Sequence, residues 1–359
     1  MVESSSDLAE FVAQVAGKGL RVEESLGQGF VRLRVDEAER RQAAHDIRNV
    51  EDVIVELLRN ARDAGANHIY VATSREGDRR TITILDDGTG IPFELQERIF
   101  DARVTSKLET MHMDRWGVHG RGMALYSVRT NADSARVICS APGKGSSIQV
   151  VSNINKIAEK ADQSTWPVMD SDEDEQTILR GPHNIIRACA EFALEERGVC
   201  EVFLGSAADI VATARKKARP QLEATKLLFL ESLDELQLLE RIHEAADASE
   251  LARVAAELGL NISERTAHRI LSGAIKPLRS VYARLSHSRF ASTTNKQIDL
   301  KKDQRGLRIT PQDAEEFSRL MERDFAFLAQ RYYLELASAP RINAGKGRVT
   351  VSFELAGGD

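Results

Sequence analysis

Residues 53–66, VIVELLRNARDAGA, constrain this chain more than any other stretch. Val53, Ile54, Leu57, Leu58, Ala61 and Ala64 recur at helical spacing, so the segment reads as a helix with one covered face. Glu56, Asn60 and Asp63 stand at i, i+4 and i+7, which puts them within an arc of roughly 60° at ~100° per residue. A carboxylate, an amide and a second carboxylate therefore form a line beside the buried stripe. An amide oxygen is a neutral ligand suited to a hard cation that keeps several waters, as Mg²⁺ does. A carboxylate one turn earlier is placed to take a proton from water. Taken alone, such a line on an amphipathic helix is most often a solvated face.

Two further segments change that balance. HIYVAT (68–73) and TITILDD (81–87) alternate as strands around the turn REGDR, and the second runs into Asp86-Asp87-Gly88-Thr89-Gly90. Glycines let backbone approach a flat ligand, and an ionised Asp86 accepts hydrogen bonds only, as reading an exocyclic amine requires. An Asp-Gly pair leaving a strand is otherwise a plain turn. GVHGRG, with Gly117, Gly120 and Gly122, reads as a glycine turn opening a helix, where backbone amides make an anion site. It is neither a Walker A element nor a dinucleotide fingerprint, because no G-x-x-x-x-G-K-[ST] occurs and the glycine spacing is reversed. Strands over 134–141 and 146–152 flank Pro142-Gly143-Lys144-Gly145 as a hairpin, and Pro92 opens a helix over 92–101. The stretch 103–116 has no period and reads as a loop.

In this order and spacing the three segments resemble the motifs of the GHKL superfamily of gyrase B subunits, ninety-kilodalton heat-shock chaperones, histidine kinases and MutL. Glu56-x-x-x-Asn60-x-x-Asp63 is similar to the N box, Asp86-x-Gly88-x-Gly90 to the first glycine box, and Gly117-x-x-Gly120-x-Gly122 to the second. The resemblance covers about residues 50–152. It implies a two-layer α/β sandwich with a mixed sheet (α+β in its connections), followed here by a mainly helical portion, with ATP and Mg²⁺ held under a lid at 102–116. By the same resemblance Glu56 is the general base and Asn60 the Mg²⁺ ligand. Asp63, Asp86, Gly88, Gly90, Lys107, Gly117, Gly120, Arg121, Gly122 and Ser146 bind ATP, with Ser146 on the small-hydroxyl strand Gly145-Ser146-Ser147-Ile148. Thr105-Ser106-Lys107 is similar to the lid triplet of MutL-type proteins, and Lys107 would neutralise phosphate charge there; a solvated loop lysine is the plain alternative. Glu56 favours hydrolysis over phosphotransfer. HDIRN (45–49) resembles a phosphoacceptor box, but it precedes the N box by only 11 residues, so His45 reads as an ordinary helix or loop residue.

Organisation follows from the same patterning. A helix over 7–16 and a strand over 30–35 precede a long helical pattern from 38 to 65 with a break near Asp46. Residues 1–155 read as the ATP-binding domain, 156–183 as an acidic linker or exposed loop around the 170–175 run, 184–308 as a helical domain, and 309–359 as a long helix with a terminal strand. Residues 249–273 read helix, glycine turn, helix, similar to helix-turn-helix elements with a lengthened turn. An ATPase domain followed by such a module resembles the B subunit of type IIB topoisomerases, although the β-rich transducer of that family is not evident in 300–359.

The chain carries a net charge of −6, yet Lys276 to Arg308 holds nine bases against two carboxylates. Such local reversal fits a phosphate-binding surface, with Arg265, Arg269, Lys301, Lys302 and Arg305 as candidate DNA contacts; pairing with the acidic segments is the other reading. No apolar run of ~20 residues that could span a bilayer is visible. There is also no basic-then-apolar leader, and three cysteines outside any motif fit a reducing cytoplasm. The combined expectation is an ATP-gated switch that dimerises through its nucleotide-bound domain and acts on DNA or a DNA-bound partner. The alternatives are a signalling protein kinase and an ATP-sensing regulator with little turnover.

Overall fold

The computed structural model describes residues 22–35, 37–105, 112–114, 117–119, 122–171, 177–218, 232–286, 311–332, 334–345 and 348–356. The expected helix over 7–16 lies outside them, as do Lys107, Gly120, Arg121, Lys301, Lys302, Arg305 and all but the first two residues of the 170–175 run. The chain divides into two compact units, residues 1–289 and 290–359.

The first unit starts with a hairpin of β1 (Val22–Gly27) and β2 (Phe30–Leu33) and the helix α1 (Glu37–Asp46). The long helical pattern does break where expected. Asn49 is extended and caps a new helix, α2 (Val50–Asp63), its side chain accepting from the Asp52 amide at 2.9 Å. The far end of α2 closes over Gly65, whose N–H reaches the Arg62 carbonyl at 2.8 Å while Ala66 N–H reaches that of Ala61 at 3.2 Å. Ile54, Leu57 and Leu58 are buried on the predicted stripe, each contributing roughly 1.5–3 kcal/mol by leaving water.

Next come β3 (His68–Glu76) and β4 (Arg79–Asp86), paired antiparallel through the whole expected turn. Residues 92–101, expected as one helix, form two 3₁₀ turns instead, Phe93–Leu95 and Arg98–Phe100. The i→i+3 bonds of these tight turns bring Leu95, Ile99 and Phe100 into the core. Part of the expected loop 103–116 is also extended. β5 (Val104–Thr105) joins β1 and β2 in a three-stranded sheet, and β6 (His112–Asp114) pairs with β7 (Gly117–His119). Gly117 thus lies in a strand rather than a glycine turn. The helix after it, α3 (Ala124–Asn131), is as expected, and so is the hairpin of β8 (Ser134–Ser140) and β9 (Ser146–Asn153).

The acidic segment is not a linker. β10 (Val168–Ser171) and β11 (Thr177–Arg180) form a hairpin that buries Met169 and Leu179. Ahead of it Glu159 is buried against Arg75 at 2.6 Å and Arg80 at 2.8 Å, and the Arg284 guanidinium lies 3.7 Å over the Trp166 ring. Alternating apolar side chains and neutralised charge hold this stretch to the first unit.

The helical portion also begins differently from its sequence pattern. After α4 (Ile185–Glu195), residues Glu201–Gly205 form β12, which pairs in parallel with β3. The central sheet therefore has the order β12-β3-β4-β9-β8, mixed as expected of the sandwich. One face carries α2, α3 and α4 over Ile69, Val71, Ile82, Ile84 and Val150. The opposite face, with Tyr70, Leu85 and Phe203, is covered by α5 (Ala207–Lys217), α6 (Leu238–Glu244), α7 (Ala248–Glu257) and α8 (Glu264–Leu271). Residues 184–286 are thus a continuation of the nucleotide-binding fold, and no domain boundary falls between 155 and 184. The reason is that both sheet faces are apolar and both need a helical layer.

In the second unit α9 (Pro311–Tyr332) packs on a hairpin of β13 (Arg341–Gly345) and β14 (Arg348–Ser352), where a single terminal strand was expected. Phe325 stacks on Phe353 at 5.0 Å between ring centroids. Among the described residues no helix is long and apolar enough to cross a membrane.

Candidate nucleotide site

The helix α2 and the sheet enclose a cavity of about 840 Å³, within the range of small-molecule sites. Glu56, Asn60, Asp63, Asp86, Gly90, Gly122 and Ser146 all line it, so three motifs separated in sequence converge on one space. Ile84, Ile91, Ile99, Leu125 and Ile148 supply apolar wall.

At one end sits Asp86, the last residue of β4, only 3% exposed. Ser146, opposite it on β9, donates its hydroxyl to Asp86 Oδ2 at 2.5 Å, and the Gly88 amide donates to Oδ1 at 2.9 Å. Burial raises the Asp86 pKa to about 6, and these two hydrogen bonds to the carboxylate offset part of that rise. The turn that follows cannot carry side chains. Gly90 has φ +71, and a Cβ there would overlap the Ala141 carbonyl; a Cβ on Gly88 would come within 2.8 Å of the Ala64 carbonyl. The same turn is tied down by Thr89 N–H to Ala64 O at 2.9 Å and Gly143 N–H to Thr89 O at 2.7 Å. It thereby joins the end of α2 to the β8–β9 hairpin.

Asp87, next to Asp86, does not face the cavity chemistry. Its carboxylate accepts from the Asn67 and His68 amides at 2.7 and 2.8 Å and meets His68 Nδ1 at 2.7 Å. It fixes the start of β3, and its hydrogen bonds with His68 hold its pKa below the usual range despite burial.

At the other end α2 presents Glu56 and Asn60. Arg59 Nη1 lies 2.9 Å from Glu56 Oε1, and the Asn60 amide donates from Nδ2 to the Glu56 carbonyl at 2.8 Å. The second contact orients the Asn60 side chain with its Oδ1 as the remaining ligand atom. Among the described residues no group of three or more His, Cys, Asp or Glu is arranged to hold a metal ion. A lone neutral amide oxygen is the kind of donor that suits a cation taking most of its oxygens from phosphate and water. Asp63 has a second task. It pairs with Arg62 at 2.9 Å, and Arg62 also bonds Glu196 after α4 at 2.6 Å, which fastens the two helices together.

Several wall residues have no binding role in the sequence reading. Arg103, buried and at φ +57, immediately precedes β5, and Thr105 ends that strand. His45 and Asp46, at the end of α1, also border the cavity. Arg59 was visible only as the i+3 neighbour of Glu56. Gly117 opens β7, while Lys107, Gly120 and Arg121 lie outside the described residues.

Residues 45–155 match the model of the "Histidine kinase-, DNA gyrase B-, and HSP90-like ATPase" family. This stretch is a GHKL ATPase domain. The GHKL domain is similar to part of the DNA mismatch repair protein MutL of Aquifex aeolicus, 38% identical over 104 residues that make up 28% of this chain and 24% of that protein. MutL of Thermus aquaticus is 41% identical over 85 residues, 23% of this chain and 15% of the relative. MutL of Staphylococcus aureus is 30% identical over 135 residues, 36% and 20% respectively. The chain thus matches about a quarter or less of these relatives' length. An ATP-binding function for the GHKL domain agrees with the cavity and the residues that line it.

Proposed function

We propose that this protein is a Mg²⁺-dependent ATPase that works as an ATP-gated, dimerising switch on DNA or a DNA-bound partner. The convergence of Asp86 and Ser146 at one end of the cavity with Glu56 and Asn60 at the other carries this reading. Asp86, ionised at neutral pH, accepts the adenine amine, and Ser146 holds it in place. The glycine turn leaves room for the base. Asn60 Oδ1 would hold Mg²⁺, whose charge offsets that of the phosphates. Glu56, steadied by Arg59, takes the proton of an attacking water, while Arg103 supplies a buried cation beside the path to the lid. Gly122, with Gly117, Gly120, Arg121 and Lys107, completes the phosphate grip and the lid. Closure of that lid over the γ-phosphate would favour the dimer, and hydrolysis would release it. The relatives named DNA mismatch repair proteins support a DNA-linked target. Buried thiols at Cys189 and Cys200 fit a cytoplasmic setting.

The test is a pair of substitutions in the full chain. Glu56→Ala should bind Mg²⁺-ATP with unchanged affinity and lose turnover by ~10²–10⁴-fold. Asn60→Ala should lose the Mg²⁺ dependence of binding as well. Undiminished hydrolysis in Glu56→Ala would overturn the assignment of the base. A wild type that binds ATP without turnover would shift the function to nucleotide sensing.

A further inference from the structure

The helices on the reverse face of the sheet present a charged surface that the nucleotide chemistry does not use. α8 buries Ala267 and Ile270 against α7 and α5. At ~100° per residue, Arg265, His268, Arg269 and Ser272 fall within an arc of about 100° on the opposite side, and all four are exposed. Lys276 and Arg279 follow in the segment after the helix and are exposed too. Several cations elsewhere on these helices are engaged, although Lys216 on α5 is exposed without a partner among the described residues. Arg253 on α7 pairs with Glu250 and Glu257, Arg241 on α6 pairs with Asp234, and Arg215 on α5 bonds the Ile242 and Ala245 carbonyls. The side chains of Arg265, Arg269, Lys276 and Arg279 make no hydrogen bond or ion pair among the described residues. In a chain of net charge −6, four exposed and unengaged cations within fifteen residues mark a surface kept for an external anion.

We propose that the outer face of α8, continued by Lys276 and Arg279, is a binding surface for duplex DNA. Two features favour nucleic acid over an acidic protein. Protein interfaces centre on aromatic or aliphatic anchors, and no exposed large hydrophobic side chain lies in the described part of 249–286. Surfaces for DNA are polar and strongly basic. The shape favours B-form DNA over duplex RNA. A helix with its side chains is about 10–12 Å across and enters a major groove about 12 Å wide, whereas the deep, narrow groove of A-form RNA excludes it.

The surface is also fixed to the nucleotide sheet. The turn between α7 and α8 accepts hydrogen bonds from that sheet: Ser147 Oγ donates to the Leu258 carbonyl at 2.8 Å, and Gln149 Nε2 and Thr83 Oγ1 reach the Gly259 carbonyl at 3.4 Å. Ser147 directly follows Ser146, the partner of Asp86. This surface deepens the DNA half of the proposed function and rests on that reading only for its link to ATP.

Fluorescence anisotropy with a labelled 20-base-pair duplex tests the surface in the full chain without nucleotide. Four phosphate contacts predict a fall in affinity of about 150-fold between 50 and 200 mM salt, and two contacts a fall of about 12-fold. Arg265→Gln/Arg269→Gln should therefore bind more weakly at low salt and show the shallower slope. Arg253→Gln, on the paired cation of α7, should match wild type. ATP affinity, measured separately by calorimetry, should be equal in all three, which also shows that the variants are folded. Absence of duplex binding at 50 mM salt, an unchanged slope in the double variant, or equally tight binding of duplex RNA or polyglutamate would overturn the proposal. Loss of ATP binding with DNA binding intact would sink the ATPase reading alone.

Discussion

The unusual protonation of Asp86 predicts how this protein should recognise its base as pH changes. With a pKa near 6, about nine-tenths of Asp86 is ionised at pH 7 and about one-tenth at pH 5. The ionised form is the stronger acceptor for the adenine amine, so affinity for ATP should follow that fraction and fall by up to about tenfold across this interval. The triphosphate itself titrates in the same range, so ATP alone is a poor probe. Inosine triphosphate carries the same phosphates but offers a carbonyl where adenine has its amine. A charged Asp86 rejects that carbonyl, while a protonated Asp86 can donate to it. The ratio of ATP to inosine triphosphate affinity should therefore fall by at least tenfold from pH 7 to pH 5, read by calorimetry in matched buffers. Ser146→Ala removes a hydrogen bond that favours the carboxylate and should move the midpoint of that fall upward. A ratio independent of pH between 5 and 7 would refute the assignment of Asp86 as the base reader.

Two stability predictions follow from contacts away from the cavity. Ser147→Ala leaves the buried Leu258 carbonyl without its donor and should cost about 1–3 kcal/mol in urea unfolding; an unchanged midpoint would mean that water replaces the hydroxyl. Asp87 has a lowered pKa and His68 a raised one, so the Asp87 contribution is present above the ordinary carboxylate range and is lost as pH falls. That of His68 is present below its unfolded value near 6.5 and is lost as pH rises through its folded value. Wild-type stability relative to Asp87→Asn should accordingly peak between about pH 4 and 6.5, and a flat difference in thermal unfolding across pH 3–9 would contradict the pairing.

How much of this was legible in the sequence depended on whether the signal was local. α2 declared itself through six apolar residues at one spacing and a break near Asp46, while its caps at Asn49 and Gly65 are seen only in the folded chain. β3, β4, β8 and β9 alternate and turn back on immediate neighbours, so their pairing needed no distant partner. The site followed because Glu56 and Asn60 share one face of α2, while Asp86 ends β4 and runs into its glycine turn. β12 was missed because its five residues sit between two helices, and its partner β3 is more than 120 residues earlier. β5 and the β10–β11 hairpin are too short to show a period against charged flanks. The two 3₁₀ turns at 93–100 have helical composition, and only the burial of Leu95, Ile99 and Phe100 together distinguishes them from a regular helix. Arg103 carries no pattern at all, and the motif around His45 points to a different chemistry; the place of both beside the cavity is a property of the folded chain.

The position of β12 separates the unit of ancestry from the unit of folding. The family match spans residues 45–155, yet the strand that completes the sheet, and the helices that cover its second face, are synthesised later. A nascent chain that has emerged only as far as β9 displays an open parallel edge on β3 and an uncovered apolar layer at Tyr70 and Leu85. A fragment that stops at residue 155 lacks that strand and those helices, and is expected to be a sticky piece rather than a module.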